Sequence, residues 1–241
     1  MPKAIIVGAS SGIGRALAME FSRQGYALGL CARRVALLES LKQKLPGTAH
    51  IAALDVDQPE QALAQLKALI ATLGGMDVIV LNAGISLPSN LKWEIESQII
   101  KTNVSGFVAL AEAAFDYFKE EHGGQGQLVG ISSIASLRGA RRSPAYNASK
   151  AFISRYMEGL RHVAAREGLK IMITDIRPGF VDTDMIKDLP YTFWVVPVAK
   201  AARQIYQAIH HKRRTAYVSK RWNLVAWALR VMPESIFHRI V

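Results

Sequence analysis

The 241-residue chain is half hydrophobic with a formal net charge of +11, which excludes a disordered or fibrous protein and leaves apolar surface for a substantial core. Its single cysteine, Cys31, excludes an intrachain disulfide and a cysteine-based metal cluster, and its six histidines show no metal-type pairing beyond the adjacent His210 and His211, so redox chemistry needs a borrowed cofactor. From Pro197 onward nine basic residues face the single acid Glu234; this basic end suggests a local anionic partner (acidic lipid, anionic substrate or cofactor phosphate) or a merely solvated surface, and no nucleic-acid recognition motif accompanies it.

The chain starts Met1-Pro-Lys and runs directly into "AIIVGAS", with no basic segment, long apolar run or cleavage signal there, so the cytoplasm is the expected location. Apolar runs of strand length follow in order: "KAIIV", "YALGLC", "HIAALDV", "DVIVLNAG", "QLVGISS", "KIMITDIRP" and, more weakly, "TAYVS". Between them lie stretches of helical period such as "GIGRALAMEFSRQG" and "PEQALAQLKALIATLG". Strands apolar on both faces and alternating with helices predict an α/β protein, with one doubly wound parallel sheet of Rossmann type flanked by helices on both faces. No linker or repeat divides it, so residues 1–241 read as a single dinucleotide-binding and catalytic domain. Ligands of such sheets sit beyond the carboxyl ends of the strands, and functional residues are expected there.

After the first strand, "VGASSGIGRALA" places Gly8, Gly12 and Gly14 at a strand-to-helix turn. Small residues there let the backbone approach a pyrophosphate, which the free amides and dipole of the next helix attract. Ser10 and Ser11 add hydroxyl donors, and the spacing is GxxxGxG, not GxGxxG. The second strand ends "LCARR", with Ala32 where an NAD-dependent protein usually has an acid for the ribose 2'-hydroxyl, followed by Arg33 and Arg34. A guanidinium can hold a 2'-phosphate by paired, charge-assisted hydrogen bonds, so NADP(H) is expected in preference to NAD(H).

Later motifs extend the pattern: "LDV" at Leu54–Val56, "LNAG" at Leu81–Gly84, "NVSG" at Asn103–Gly106, Ser132-Ser133, "YNASK" at Tyr146–Lys150 and "RPGFVDT" at Arg177–Thr183. With the glycine turn, in this order and spacing, the chain resembles the short-chain dehydrogenase/reductase family from about residue 3 to residue 190. The resemblance implies that Gly8 to Gly14, including Ile13, lie at the pyrophosphate, and Asp55 and Val56 at the adenine. It puts Asn82, Ala83 and Gly84 on the adenosine side of the central strand, and Pro178, Gly179, Val181 and Thr183 at the nicotinamide carboxamide. It further implies a catalytic set of Asn103, Ser133, Tyr146 and Lys150, with Ser133 chosen over Ser132 for its thirteen-residue interval to the tyrosine. Tyr146 and Lys150 also belong to the cofactor site, and a homodimer or homotetramer is implied. The chain departs from the family at Val7, Leu81 and Ser11; many NADP-dependent members have a basic residue at the last position, which leaves Arg33 as the main support for NADP(H).

These residue types suit hydride transfer to a ketone, whose oxygen needs a proton and donors as negative charge develops. A phenol has an ordinary pKa of about 10, and a nearby cation such as Lys150 is expected to lower it. Ser143-Pro144 reads as the cap and first residue of a helix, with the serine oxygen accepting from an early amide. Tyr146 and Lys150, four apart, then share a face, and Lys150 can also touch the nicotinamide ribose. Asn103, by the resemblance, holds a water that returns protons to Lys150. The leading function is an NADP(H)-dependent oxidoreductase on a small carbonyl or alcohol. The alternative is an NADPH-binding regulator without turnover, for which a complete catalytic set has no use.

Residues 184–200 are expected to cover the substrate. Phe193, Trp194, Val195 and Val196 make either an apolar lid, suited to a hydrophobic or amphipathic substrate, or part of the core. Residues 220–241 form an aromatic, basic tail whose uninterrupted apolar part, Leu224 to Leu229, is far short of the roughly 20 residues needed to span a bilayer. The tail either docks on a membrane surface or partner subunit, with Trp222 and Trp227 as interfacial anchors, or packs on its own domain.

Overall fold

The computed structural model describes residues 1–88, 91–187, 189 and 191–238. Seven strands form one parallel sheet: β1 (Lys3–Val7), β2 (Ala27–Ala32), β3 (Ala49–Ala53), β4 (Val78–Leu81), β5 (Gln125–Ile131), β6 (Lys170–Pro178) and β7 (Thr215–Val218). Their spatial order is β3-β2-β1-β4-β5-β6-β7, with every pairing parallel. All seven apolar runs read from the sequence are strands of this sheet.

Alternation along each strand feeds two cores. Ile5 and Val7 point to one, under α3 (Pro59–Leu73), α5 (Gly106–Asp116) and α6 (Pro144–Arg166). Ala4 and Ile6 point to the other, under α1 (Gly12–Arg23), α2 (Val35–Lys42) and α7 (Val198–His210). Both faces are thereby removed from water, which is why these strands read as continuous apolar runs. The chain builds outward from β1 to β3, then returns to the other side of β1 at β4. Between the carboxyl ends of β1 and β4 the flanking connections diverge and leave a crevice for a ligand.

Two further elements frame that crevice. A π-helical turn, Lys101–Ser105, separates α4 (Trp93–Ile100) from α5; such breaks in helical hydrogen bonding recur at functional sites. At the other end, α8 (Trp222–Val231) and the short α9 (Glu234–Phe237) follow β7. Among the described residues no helix is long and apolar enough to cross a membrane.

Candidate active site

The glycine turn shapes the crevice floor. Gly8 has φ +86°, which favours glycine, and a Cβ there would lie 2.8 Å from the Ala83 nitrogen. A Cβ on Gly14 would meet the Gly8 carbonyl oxygen at 2.1 Å, so the helix can start against the turn only without a side chain. Asn82 Nδ2 donates to that Gly8 oxygen at 3.0 Å, fastening the end of β4 to the turn after β1.

Above the turn lies a cavity of about 290 Å³ lined by Gly8, Ser11, Gly12, Ile13, Arg33, Asp55, Val56, Asn82, Ala83, Gly84 and Thr183. A second cavity of about 230 Å³ shares Ile13, Asn82, Gly84 and Thr183 and adds Ser133, Tyr146, Lys150, Pro178, Gly179 and Val181. Most of the expected cofactor residues thus fall on two adjoining cavities that share part of their walls, with Ser133, Tyr146 and Lys150 in the second. Ser10, Gly14, Arg34 and Asn103 line neither cavity. Gly14 packs under Gly8, while Arg34 Nη2 donates to Ser10 Oγ at 3.0 Å and Ser11 Oγ at 2.8 Å. The cation that Ser11 itself lacks is supplied at that spot by Arg34. The Arg33 guanidinium, 60% exposed, stands 3.8 Å from Asp57, a carboxylate that also accepts from Thr102 Oγ1 at 2.7 Å and Gln98 Nε2 at 2.8 Å.

At the catalytic end, Tyr146 and Lys150 occupy the first turns of α6, and Ser133 follows β5. Tyr146 and Ser133 line the same cavity; Ser133 Oγ accepts from the Ala135 amide at 3.1 Å and lies 3.5 Å from the Pro178 carbonyl oxygen, while Ser132 donates to buried Asp175 and to the Ile176 carbonyl oxygen at 3.1 Å. The hydroxyls of the two adjacent serines thus have different partners. Lys150 is buried, its Nζ donating to the Ile131 carbonyl oxygen at 3.0 Å and lying 5.7 Å from the Tyr146 ring centroid. Fully buried Asn103 accepts from the Ile85 amide at 2.8 Å and donates to the Ile85 carbonyl at 2.9 Å and to Ser149 Oγ at 3.0 Å. Its side chain therefore ties the segment after Gly84 to α6, beside Lys150.

Two local expectations need correction. Ser143 stands at the cap position of α6, but its hydroxyl donates to the Leu87 carbonyl oxygen at 2.9 Å and makes no cap bond; it fastens the helix start to the loop after β4. Nor does Lys150 lower the Tyr146 pKa here. Burial pushes the phenol up, opposed only by Ser133, and burial drives the ammonium of Lys150 down to about 8, opposed by the charge of Asp175. In so enclosed a place desolvation outweighs the cation.

Asp175 is a participant that sequence reasoning missed. It is fully buried, and besides Ser132 it accepts from Arg177 Nε at 2.7 Å. Arg177 Nη1 donates to Tyr217 Oη at 3.1 Å, which also accepts from Arg230 Nη2 of α8 at 2.9 Å. Arg177 and Asp175, two apart on β6, could have been noticed as an i, i+2 pair on one strand face, but a buried acid is not visible in a sequence. Removing one member of a buried pair strands the other's charge, so Asp175→Ala is expected to lower the unfolding free energy by about 3–5 kcal/mol in urea titrations. Asp175→Leu combined with Arg177→Leu should recover much of that loss.

Of the segment expected to cover the substrate, Met185, Ile186 and Leu189 line the cavity, and Phe193 to Val196 do not. Tyr191, Phe193, Trp194 and Val195 are exposed, whereas Val196 is buried and bridges to Val181; Asp188 and Pro190 lie outside the described residues. The tail reading needs correction at Trp222, which is only 2% exposed and so is no interfacial anchor. Its indole lies on Gly179, where a Cβ would come within 1.9 Å of Cε2, and its ring meets those of Phe180, Phe193 and Trp194 at centroid distances of 5.5, 5.0 and 6.2 Å. The tail helix packs on its own domain through this residue and braces the turn expected at the nicotinamide. Arg239 and the two residues after it lie outside the described part.

Fold and crevice together define a dinucleotide-binding α/β oxidoreductase. Comparison with known proteins gives the family: residues 2–192 match the short chain dehydrogenase family, and the chain belongs to it, as an NAD(P)-dependent oxidoreductase acting between CH-OH and C=O groups. An uncharacterized oxidoreductase of Myxococcus xanthus (strain DK1622) is 38% identical over 188 residues, covering 76% of this chain and 73% of the relative. A farnesol dehydrogenase of Aedes aegypti is 31% identical over 195 residues, covering 77% and 79%. An alcohol dehydrogenase from the archaeon Thermococcus sibiricus, solved with 5-hydroxy-NADP, superposes with a TM-score of 0.78 at 26% identity, covering 90% of this chain and 96% of that one. Other structures of this fold were solved with NADPH or with NAD, so the fold alone does not choose between the two.

Proposed function

We propose that the protein is an NADPH-dependent carbonyl reductase for an apolar or amphipathic ketone or aldehyde, reversible as an alcohol dehydrogenase. The observation that carries this reading is the placing of Ser133, Tyr146 and Lys150 together on the wall of a cavity that adjoins the dinucleotide crevice. The nicotinamide cofactor supplies the hydride. Gly8 to Gly14, with Ser10 and Ser11, would hold its pyrophosphate; Asp55, Val56, Asn82, Ala83 and Gly84 its adenosine side; Pro178, Gly179, Val181 and Thr183 its carboxamide. Arg33 and Arg34 favour a 2'-phosphate, and Lys150 is within reach of the ribose.

Tyr146 donates the proton to the carbonyl oxygen, and Ser133 orients that oxygen. A phenol whose pKa is raised by burial keeps its proton at neutral pH, which suits the reductive direction. Lys150 with Asn103 beside it completes the set, Asn103 holding the backbone around the site and, by family resemblance, a relaying water. Ile134, Phe180, Ile186 and Leu189 line the substrate side, and this apolar wall supports an apolar substrate. The relative named for farnesol, an apolar alcohol, supports the same class. The chain is taken as one catalytic domain in the cytoplasm, forming a homodimer or homotetramer as its family resemblance implies. A regulator without turnover would not need a phenol, a serine and a lysine gathered on one cavity wall at this place.

The test is NADPH consumption with a panel of apolar ketones and aldehydes, followed against pH. Lys150, depressed to about 8, is cationic below that pH and neutral above it, and only the cation assists the developing oxyanion. Reduction should hold steady below pH 8 and fall as pH rises past it. A rate that climbs from pH 7 to pH 9, or no turnover with any carbonyl, would overturn the reading.

A further inference from the structure

Among the described residues, nothing covers the outer face of α8. Trp222 and Ala226, four apart, are its buried side, whereas Leu224, Trp227 and Val231 share the opposite face and are 70%, 67% and 59% exposed. This stripe reaches the substrate lid through Arg221, three residues before Leu224, whose guanidinium lies over the exposed Trp194 ring, and Phe193 and Trp194 in turn pack on the inner Trp222. The result is one aromatic and aliphatic patch beside the cavity that Phe180 and Leu189 line. Large exposed apolar patches on a folded chain mark interaction surfaces.

The charges around the patch select its occupant. Lys220, Arg221 and Arg230 are exposed at the ends of α8, and the Arg221 guanidinium lies 5.7 Å from the Trp194 ring centroid. From Pro197 onward the only acid is Glu234. A second copy docked face to face on this stripe would set arginines against arginines, which opposes association. An anionic lipid surface complements every part of the patch. Aliphatic side chains enter the acyl boundary, tryptophans sit at headgroup level, and each basic residue gains from the negative surface potential.

We infer that the outer face of α8, together with the Phe193-Trp194 edge of the lid, docks the protein on the surface of an anionic bilayer, with the mouth of the substrate cavity facing the lipid. The helix lies in the interface and does not cross it. An apolar substrate dissolved in the bilayer then reaches the cavity without passing through water. Docking itself is independent of the catalytic reading, because none of its residues touches the reacting atoms.

The full chain should float with vesicles of phosphatidylcholine and phosphatidylglycerol in a density gradient, less with phosphatidylcholine alone, and less as salt is raised. Leu224→Glu combined with Trp227→Glu should reduce partitioning onto the anionic vesicles by at least about tenfold. Both side chains are largely exposed, so folding and NADPH binding should be unchanged. Tyr146→Phe should float like the parent, which separates failure of the catalytic reading from failure of this one. Parent protein that stays in the soluble fraction with anionic vesicles overturns the inference even if the double variant does not fold. Equal flotation of parent and double variant overturns it too. A double variant that turns a dimer into a monomer in sedimentation velocity, while the parent ignores vesicles, would instead assign the patch to a second copy of this chain.

Discussion

Tyr146→Phe is expected to lower kcat for NADPH-dependent carbonyl reduction by roughly 10²–10⁴-fold, the usual contribution of a positioned general acid. NADPH affinity should stay within a few-fold, because the substitution removes one oxygen from a ring whose packing is otherwise kept. The size of the effect follows from the surroundings. The phenol is half-buried on the cavity wall beside Ser133, and Lys150, whose Nζ lies 5.7 Å from its ring centroid, donates to a backbone carbonyl. The other proton-bearing side chains on this cavity wall are hydroxyls of Ser86, Ser132, Ser133 and Thr183 and the Lys150 ammonium; the alcohols are weaker acids than a phenol. Stopped-flow measurement of NADPH oxidation under single-turnover conditions checks this. A variant that keeps a rate within threefold of the parent would remove Tyr146 from the chemistry.

The second large effect concerns cofactor choice. Replacing Arg33 and Arg34 together by alanine should weaken NADPH by about a hundredfold, equivalent to one or two charge-assisted hydrogen bonds, while NADH changes by only a few-fold. Arg33 projects into solvent at the rim of the nucleotide cavity. Arg34 lies across the serines of the glycine turn. The neighbouring acid, Asp57, is also engaged by Gln98 and Thr102. Cofactor fluorescence titrations of parent and variant measure the two affinities. Equal weakening of both cofactors would show that the arginines shape the turn and do not read the phosphate.

Much of this site was legible because its signals are local. Gly14 is required by the Gly8 carbonyl within the same turn and Gly8 by its positive φ, and the YxxxK pair by one helix face, so short windows of sequence hold them. The parallel sheet was legible for a related reason, since strands buried on both faces cannot hide their apolar runs. What the sequence concealed depends on residues brought together from far apart. Asp175 gains meaning only beside Ser132, Arg177 and Tyr217, and nothing in "ITDIRP" distinguishes a buried acid from an exposed one. Trp222 reads as half of an interfacial pair with Trp227, yet the two rings point opposite ways on α8, because Gly179 leaves room for one of them. The hydroxyl of Ser143 was misread for the same reason: its acceptor, the Leu87 carbonyl, lies 56 residues away. The balance of desolvation against charge at Tyr146 and Lys150 needs burial, which spacing does not give.

The central claim is that this crevice transfers hydride from NADPH to a carbonyl carbon, and isotope transfer tests it most directly. NADPH carrying deuterium at the reactive C4 position would be incubated with the chain and the carbonyl panel, and the alcohol products weighed by mass spectrometry. The account predicts one deuterium on the carbinol carbon of an apolar product with the parent protein and almost none with Tyr146→Phe. NADPH that binds tightly while no member of the panel gains deuterium would contradict it and leave a nucleotide-binding protein without turnover.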